Sequence, residues 1–306
     1  MKKLTLEAHK ADHGERLDRF LAAKGGLTRG EARRLLDRGA VWVNGLRVKI
    51  ASKPVYKGQQ VVVIMEEGGR SEPTEQKLGP ERILFEDVHF IAVDKPVGIP
   101  AQSTLGSDQG NMVSLVSEHV GRPVGLVHRL DLETSGVTVF GKTRPATVAL
   151  AKAFAEGTAH KRYLAIAVGE LPDEGRIDLA ISPDGRRWGK YRALPNGKLT
   201  AATRYRVLAR QGNVCAVEAF PETGRTHQIR VHLKALGAPI AGDDLYGGPN
   251  EIETPAGKMP AARVMLHARS LEVPHPKSGA VVKFQAPVPE DLQALLAALG
   301  VDPAKV

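Results

Sequence analysis

The sequence predicts an α+β protein in two units, a small N-terminal module and a larger domain behind a linker. Three observations predict it. At 306 residues the chain is about two domains long, at roughly 150 residues each. Short helical and strand periodicities alternate along it, with no internal repeat and no long stretch of one type. Residues 66–80 carry Leu78 as their one large apolar side chain among glycines, prolines and charges, so they cannot pack and read as a linker. The boundaries follow as 1–65, 66–80 and 81–306.

In the first unit Leu17, Phe20 and Leu21 fall on one helical face. Thr28 and Glu31 spell a capping box that starts a second helix, with Leu35 and Leu36 inside it and Gly39 at its stop. Val41 and Val43 alternate before Asn44-Gly45, a strong hairpin signal. A strand at residues 60–65 closes a unit of about fifty residues, a size that is marginal but can fold alone. On the second helix Arg29 and Arg33 stack at i, i+4, as do Arg34 and Arg38. They read either as a phosphate-binding surface or as a solvated face partly neutralised by Glu31 and Asp37.

Beyond residue 81, paired short strands are expected over 83–93, a helix over 111–120 and a strand over 135–141. Pro145 suits the first turn of a helix running to Ala155. Strands are expected over 163–168, 201–208 and 214–220. Ile229, Leu233 and Leu236 lie at helical spacing before Gly237, and an amphipathic helix spans 291–299.

Composition bounds the function. Forty-three Lys and Arg against 34 Asp and Glu leave a net charge of +9, which predicts a polyanionic partner, nucleic acid first, with solubility as the bland alternative. Aromatics at 5% argue against an extended base-stacking platform. The single cysteine, Cys215, allows no intramolecular disulfide and no multi-cysteine metal cage, and fits a reducing, cytoplasmic compartment. Aliphatic runs such as Val61-Val62-Val63-Ile64-Met65 fall far short of the roughly 20 residues of a membrane helix. Lys2-Lys3 is followed by Leu4-Thr5-Leu6-Glu7-Ala8-His9-Lys10, too polar a stretch for an apolar h-region, so no secretory signal is expected and no membrane partner.

Gly136 to Thr143 spell the phosphate-loop pattern G-x-x-x-x-G-K-[ST], but the intervening Val137, Thr138, Val139 and Phe140 favour an extended strand over a curled anion cradle. Three other stretches carry more: His128-Arg129-Leu130-Asp131-Leu132-Glu133-Thr134-Ser135-Gly136; His160-Lys161-Arg162-Tyr163; and Arg225-Thr226-His227-Gln228-Ile229-Arg230-Val231-His232. In the last, Arg230 flanks the Ile229–Leu233 face, and an arginine there is costly to desolvate unless a carboxylate meets it.

Taken in this order, the three stretches resemble the RluA-type family of pseudouridine synthases. Asp94-Lys95-Pro96-Val97-Gly98, Gly242-Asp243 through Tyr246-Gly247, and Leu266-His267-Ala268 resemble its further motifs. The resemblance covers about residues 81–290, and residues 15–64 resemble the small RNA-binding module named after ribosomal small-subunit protein S-four. It implies a mixed, mainly antiparallel sheet with flanking helices and a central RNA-binding cleft. The implied reaction breaks the N1–C1′ bond of uridine, turns the uracil and rejoins it through C5, with no redox change and no cofactor.

The resemblance makes Asp131 the essential carboxylate, which either attacks C1′ or promotes elimination. Arg230 supplies the opposing charge, Tyr163 lines the uracil and assists proton transfer, with ring stacking alone as its milder role, and Arg129 fills the space of the everted base. Leu130 and Ile229 are expected to pack the pocket. Lys161, Arg162 and Arg225 are candidate phosphate contacts, as are Arg29 and Arg33 in the first unit and Arg186, Arg187, Lys190 and Arg192 in a basic loop, for which plain solvent exposure is the alternative reading. His128, His227, His232 and His267 are assigned structural roles, since five-residue spacing separates His227 and His232 around a helix and no metal is expected. The expected partner is RNA, ribosomal before transfer RNA, and the expected state a monomer. A glycoside or nucleoside hydrolase pairing Asp131 with Glu133, or Asp243 with Asp244, and a non-catalytic RNA-binding or assembly protein are the competing readings.

Overall fold

The computed structural model describes residues 2–65, 77–185 and 189–306. Most of the expected linker (66–76), and Arg186 and Arg187 of the basic loop, lie outside the described residues. The chain divides into two compact units, Met1–Lys77 with Gln102–Leu115, and Leu78–Ala101 with Val116–Val306.

The first unit opens with a strand the sequence reading did not expect, β1 (Lys2–Glu7). Its Leu4-Thr5-Leu6 alternation is short, but β4 (Gln60–Met65) supplies a partner, and Leu4 and Leu6 lie opposite Val63 and Val61. Between them run α1 (Leu17–Gly25), α2 (Arg29–Asp37), β2 (Val41–Val43) and β3 (Leu46–Arg47). The expected capping box forms: Thr28 Oγ1 accepts the Glu31 N–H at 3.2 Å while Glu31 accepts the Thr28 N–H at 2.7 Å. Asn44 and Gly45 both take positive φ, 49° and 78°, as a primed hairpin turn requires. The sheet order is β1-β4-β2-β3, and Leu17, Phe20, Leu21, Leu36, Val41, Val61 and Val63 share one core.

Gln102–Leu115, read from sequence within the larger domain, is grouped with this unit. Trp42 donates to the Leu105 carbonyl at 3.0 Å, Arg47 to that of Thr104, and Lys49 reaches Asp108 at 3.0 Å. Small and polar residues attached by backbone carbonyls leave no hydrophobic period to read.

The second unit is built on one large sheet. Its elements are β5 (Ile83–Glu86), β6 (Phe90–Lys95), α3 (Met112–Val120, whose first turn is counted with the first unit), β7 (Gly125–Leu126), β8 (Ser135–Gly141), α4 (Arg144–Ala155) and β9 (His160–Val168). Then follow β10 (Glu174–Asp178), β11 (Ala180–Pro183), β12 (Tyr191–Leu194), β13 (Ala202–Gln211), β14 (Val214–Pro221) and α5 (Gln228–Ala235). The chain ends with β15 (Glu251–Thr254), β16 (Gly257–Pro260), β17 (Leu266–Pro274), β18 (Val281–Gln285) and α6 (Glu290–Ala298).

The main sheet has the order β10-β13-β14-β9-β17-β8-β6-β5, antiparallel except where β17 meets β8. It is therefore mixed and mainly antiparallel. All of β8 is buried, so the stretch that spells a phosphate loop is a central strand. At Gly136 (φ 113°) a Cβ would collide with the Ala268 backbone, so glycine lets β17 pass. One core lies among β9, β14, α5 and α6 and another among β6, β8, α4 and β18. Among the described residues no helix is long and apolar enough to cross a membrane.

Candidate active site

Asp131 sits in the loop that leads into β8, and that loop is held from below. The Lys95 ammonium, buried at the end of β6, donates to the carbonyls of Pro96 (2.8 Å), Ile99 (2.9 Å) and Leu132 (3.3 Å). The Gly98 N–H donates to the Leu132 carbonyl at 2.9 Å, so residues 95–99 and the Asp131 loop are tied as one piece. Burial pushes the Lys95 pKa down to about 7, against the charges of Asp131 and Asp94. Ser135 closes the loop on the His267 Nδ1 at 2.9 Å.

Arg230, on α5, meets this loop. Helix geometry turns it away from the core that takes Ile229 and Leu233, yet only 5% of its surface is exposed. Asp243 clasps it, accepting Nε at 2.7 Å and Nη2 at 2.8 Å, and Asp131 Oδ2 accepts Nη1 at 3.0 Å. Burial works against the guanidinium charge, but the Asp243 hydrogen bonds, then the charges of Asp131 and Asp243, outweigh it and hold its pKa above the ordinary arginine value. The Asp131 side chain keeps 24% of its surface exposed, and His227 Nε2 lies 3.9 Å from the same Oδ2. One oxygen is anchored and the group is reachable, which suits a carboxylate that attacks or deprotonates a ligand. The buried Asp243 has both oxygens on Arg230 and the exposed Asp244 bonds Asn250, which removes that pair as the two acids of a hydrolase.

The other expected residues gather unevenly. Half-buried Tyr163, on β9, lies opposite Ala268 of β17, which on its other side pairs Gly136 at the start of β8 just after the Asp131 loop, and its phenol pKa is pushed well above the usual value by burial and then by the Asp131 charge. Exposed Arg129 donates to Thr226 Oγ1 at 2.8 Å, a second tie between the first and third motifs. Lys161 donates to the Thr223 carbonyl at 2.7 Å, and its pKa is pushed down to about 8 by burial and then by Arg225. Arg225 is exposed and donates to the Thr200 carbonyl at 3.1 Å. Arg162 is committed to the buried Glu218, shared with Arg206. Leu130 and Ile229 are both buried, Ile229 within the core under β9 and β14. Lys190 immediately precedes β12, and Arg192 lies within it, paired with Ser182 of β11.

His128 is structural: its Nε2 accepts the Val139 N–H at 3.0 Å and its ring stacks on Phe154. His232 bonds Thr203 and the Leu179 carbonyl. Among the described residues no group of three or more His, Cys, Asp and Glu could hold a metal ion.

In the first unit, Arg29 and Arg33 turn to an acid other than Glu31 or Asp37. With Arg16 they surround the buried Asp18 at 3.0–3.2 Å, each about half exposed. The Arg16 hydrogen bond, against burial and then aided by Arg29 and Arg33, holds the Asp18 carboxyl far below its usual range.

Sequence reasoning named Arg230's need for a carboxylate but missed that Asp243 supplies most of it. The signal was present, since Asp243 lies in a quoted motif. Asp18 left a fainter one, an acid on the otherwise apolar face of α1.

A sequence profile described as RNA pseudouridylate synthase matches residues 89–235, and one described as S4 domain matches residues 15–61. A protein of Nitrosomonas europaea named ribosomal large subunit pseudouridine synthase D is 35% identical over 251 residues, covering 80% of this chain and 73% of that protein. Its namesake in Xylella fastidiosa is 36% identical over 306 residues, covering 95% and 91%. The solved structure of human RNA pseudouridylate synthase domain containing 1 matches with a TM-score of 0.56 at 25% identity, covering 72% of this chain and 90% of that one. With a reachable carboxylate braced on a buried arginine and relatives of this kind along most of its length, the chain belongs to the RNA pseudouridylate synthase family.

Proposed function

We propose that this pseudouridine synthase acts on uridines of large-subunit ribosomal RNA, with Asp131 as its essential carboxylate. The names of the curated relatives support the RNA, and the S4 domain supports an extended contact with it. The observation that carries the role of Asp131 is its geometry, one oxygen on Arg230 and a quarter of the side chain open. Arg230 lowers the cost of keeping the carboxylate charged once a nucleotide excludes water. Flipping a base costs a few kcal/mol, and exposed Arg129, adjacent to the carboxylate loop, replaces its stacking and holds phosphate. Tyr163 stacks on the uracil, Leu130 and Ile229 back the pocket, and Lys161 and Arg225 draw the RNA backbone toward it. Arg29 and Arg33 bind phosphates from the first unit. The reading includes a cytoplasmic monomer that needs no cofactor, because the isomerisation is redox-neutral and RNA supplies the contact surface.

The test incubates full-length protein with unmodified large-subunit ribosomal RNA transcript and a pool of transfer RNA transcripts, then maps pseudouridine. Conversion at one or a few ribosomal uridines is expected, with no free uracil and no product from Asp131→Asn. Product in transfer RNA alone would overturn the ribosomal assignment, and product from Asp131→Asn would overturn the role of the carboxylate.

A further inference from the structure

Asp131 has a second neighbour whose geometry neither the pair with Arg230 nor a structural role explains. His227 precedes α5 with φ 56°, and Asn44 is the other non-glycine residue at positive φ among the described residues. Such a backbone costs on the order of 1–3 kcal/mol and persists where its surroundings over-determine it. Here the surroundings are Tyr246 and Tyr191. His227 Nδ1 lies 2.8 Å from the Tyr246 hydroxyl, and the two tyrosine rings meet the imidazole edge-on, each with centroids 5.6 Å away. The Tyr246 oxygen already accepts the Tyr191 N–H at 3.0 Å, so its hydrogen is free to be donated to Nδ1. A neutral imidazole that accepts at Nδ1 carries its proton on Nε2. Nε2 is the atom that faces Asp131 Oδ2.

We infer that Tyr246 and His227 form a positioning relay, in which the tyrosine hydroxyl fixes the tautomer with Nε2–H toward Asp131 and the imidazole, with Arg230, holds the carboxylate toward the nucleotide. The inference rests on the function proposed above. One loop sets both donors, since Asp243 clasps Arg230 and the Tyr246 N–H donates to the Asp243 carbonyl at 3.1 Å. The loop demands glycine at Gly242 (φ 76°), where a Cβ would collide with the Arg263 carbonyl. Burial lowers the His227 pKa, Asp131 and Asp243 raising it and Arg230 and Arg129 opposing them, so the imidazole stays neutral at neutral pH. The neutral form is the one the relay needs, because an imidazolium would have no acceptor for the tyrosine and would neutralise the carboxylate. At 3.9 Å the contact is longer than a hydrogen bond, and such contacts tighten when substrate enters.

Two measurements on the full-length protein test the relay. In ¹⁵N-histidine spectra near pH 7, His227 shows a protonated Nε2 and a bare Nδ1, and Tyr246→Phe lets the Nδ1–H form appear. A wild-type His227 protonated on Nδ1 would overturn the relay, whatever RNA the enzyme modifies. In single-turnover reactions on large-subunit ribosomal RNA transcript, Tyr246→Phe slows the chemical step about fivefold and His227→Leu about thirtyfold, with half-saturating RNA unchanged. His227→Gln, whose amide N–H still reaches toward Asp131, recovers most of the rate, and Tyr246→Phe then has no further effect. An equal loss from Tyr246→Phe in the wild-type and Gln backgrounds would overturn the relay. Wild-type protein that makes no pseudouridine in this RNA would instead overturn the ribosomal assignment, leaving the tautomer to decide the relay.

Discussion

The two units solve the same electrostatic problem in opposite senses. In the first, one buried acid, Asp18, collects the half-exposed Arg16, Arg29 and Arg33. In the second, one buried arginine, Arg230, collects Asp243, which is buried, and Asp131, which is partly open. Burying the acid leaves surplus positive charge facing water, where a polyanion can meet it. Burying the arginine leaves surplus negative charge on a single reachable carboxylate, where chemistry can use it. The same residue types leave exposed positive charge in one place and a reachable carboxylate in the other, and which partner is desolvated decides between them.

Five substitutions break or sharpen this contrast. Asp131→Asn is expected to lower pseudouridine formation by at least about a thousandfold, ~4 kcal/mol in the barrier, while the urea midpoint barely moves. A large loss of stability would mean that Asp131 is a buttress like Asp243. Asp243→Asn leaves a buried guanidinium short of its main partner and is expected to cost about 3 kcal/mol of stability, read by urea unfolding, together with most of the activity. Asp18→Asn is expected to cost about 2 kcal/mol, less because its three partners are half in water. Its folded pKa is depressed, so its contribution is present above the unfolded value near pH 4 and is lost as pH falls through the folded one. The midpoint gap between wild type and Asp18→Asn should therefore narrow between about pH 5 and pH 2, and a constant gap would count against the ion pairs. The smallest effect is that of Arg29→Gln or Arg33→Gln, under about 1 kcal/mol in stability, with the salt slope of RNA binding reduced by about one each. An unchanged slope would remove these arginines from the RNA surface.

Much of the fold was legible because its signals are local. The Thr28–Glu31 box, the Asn44-Gly45 turn and Pro145 in the first turn of α4 each act through backbone within a few residues. β1 was not legible, since three residues of alternation become a strand only when β4 lies beside them. The loop around Asp108 was hidden for a related reason, its attachments being backbone carbonyls and one carboxylate. At the site, Asp131, Tyr163 and Arg230 stood out through their motifs, and the structure brings Asp131 and Arg230 together at 3.0 Å. His227 was read as structural because five-residue spacing sets it apart from His232 around the helix, and its contact with Tyr246 comes from a loop that such spacing does not reveal.

The chain's order of residues was enough for its reaction class and most of its secondary structure, because side-chain type, capping and periodicity are carried along the backbone and survive in a linear reading. Which acid meets which arginine was decided by packing alone. Asp131 and Arg230 are 99 residues apart, and Asp18 and Arg33 are 15 apart. The worth of an ion pair depends on how far each partner is withdrawn from water, and that depth exists only once the sheet, α5 and the 240s loop have closed around it.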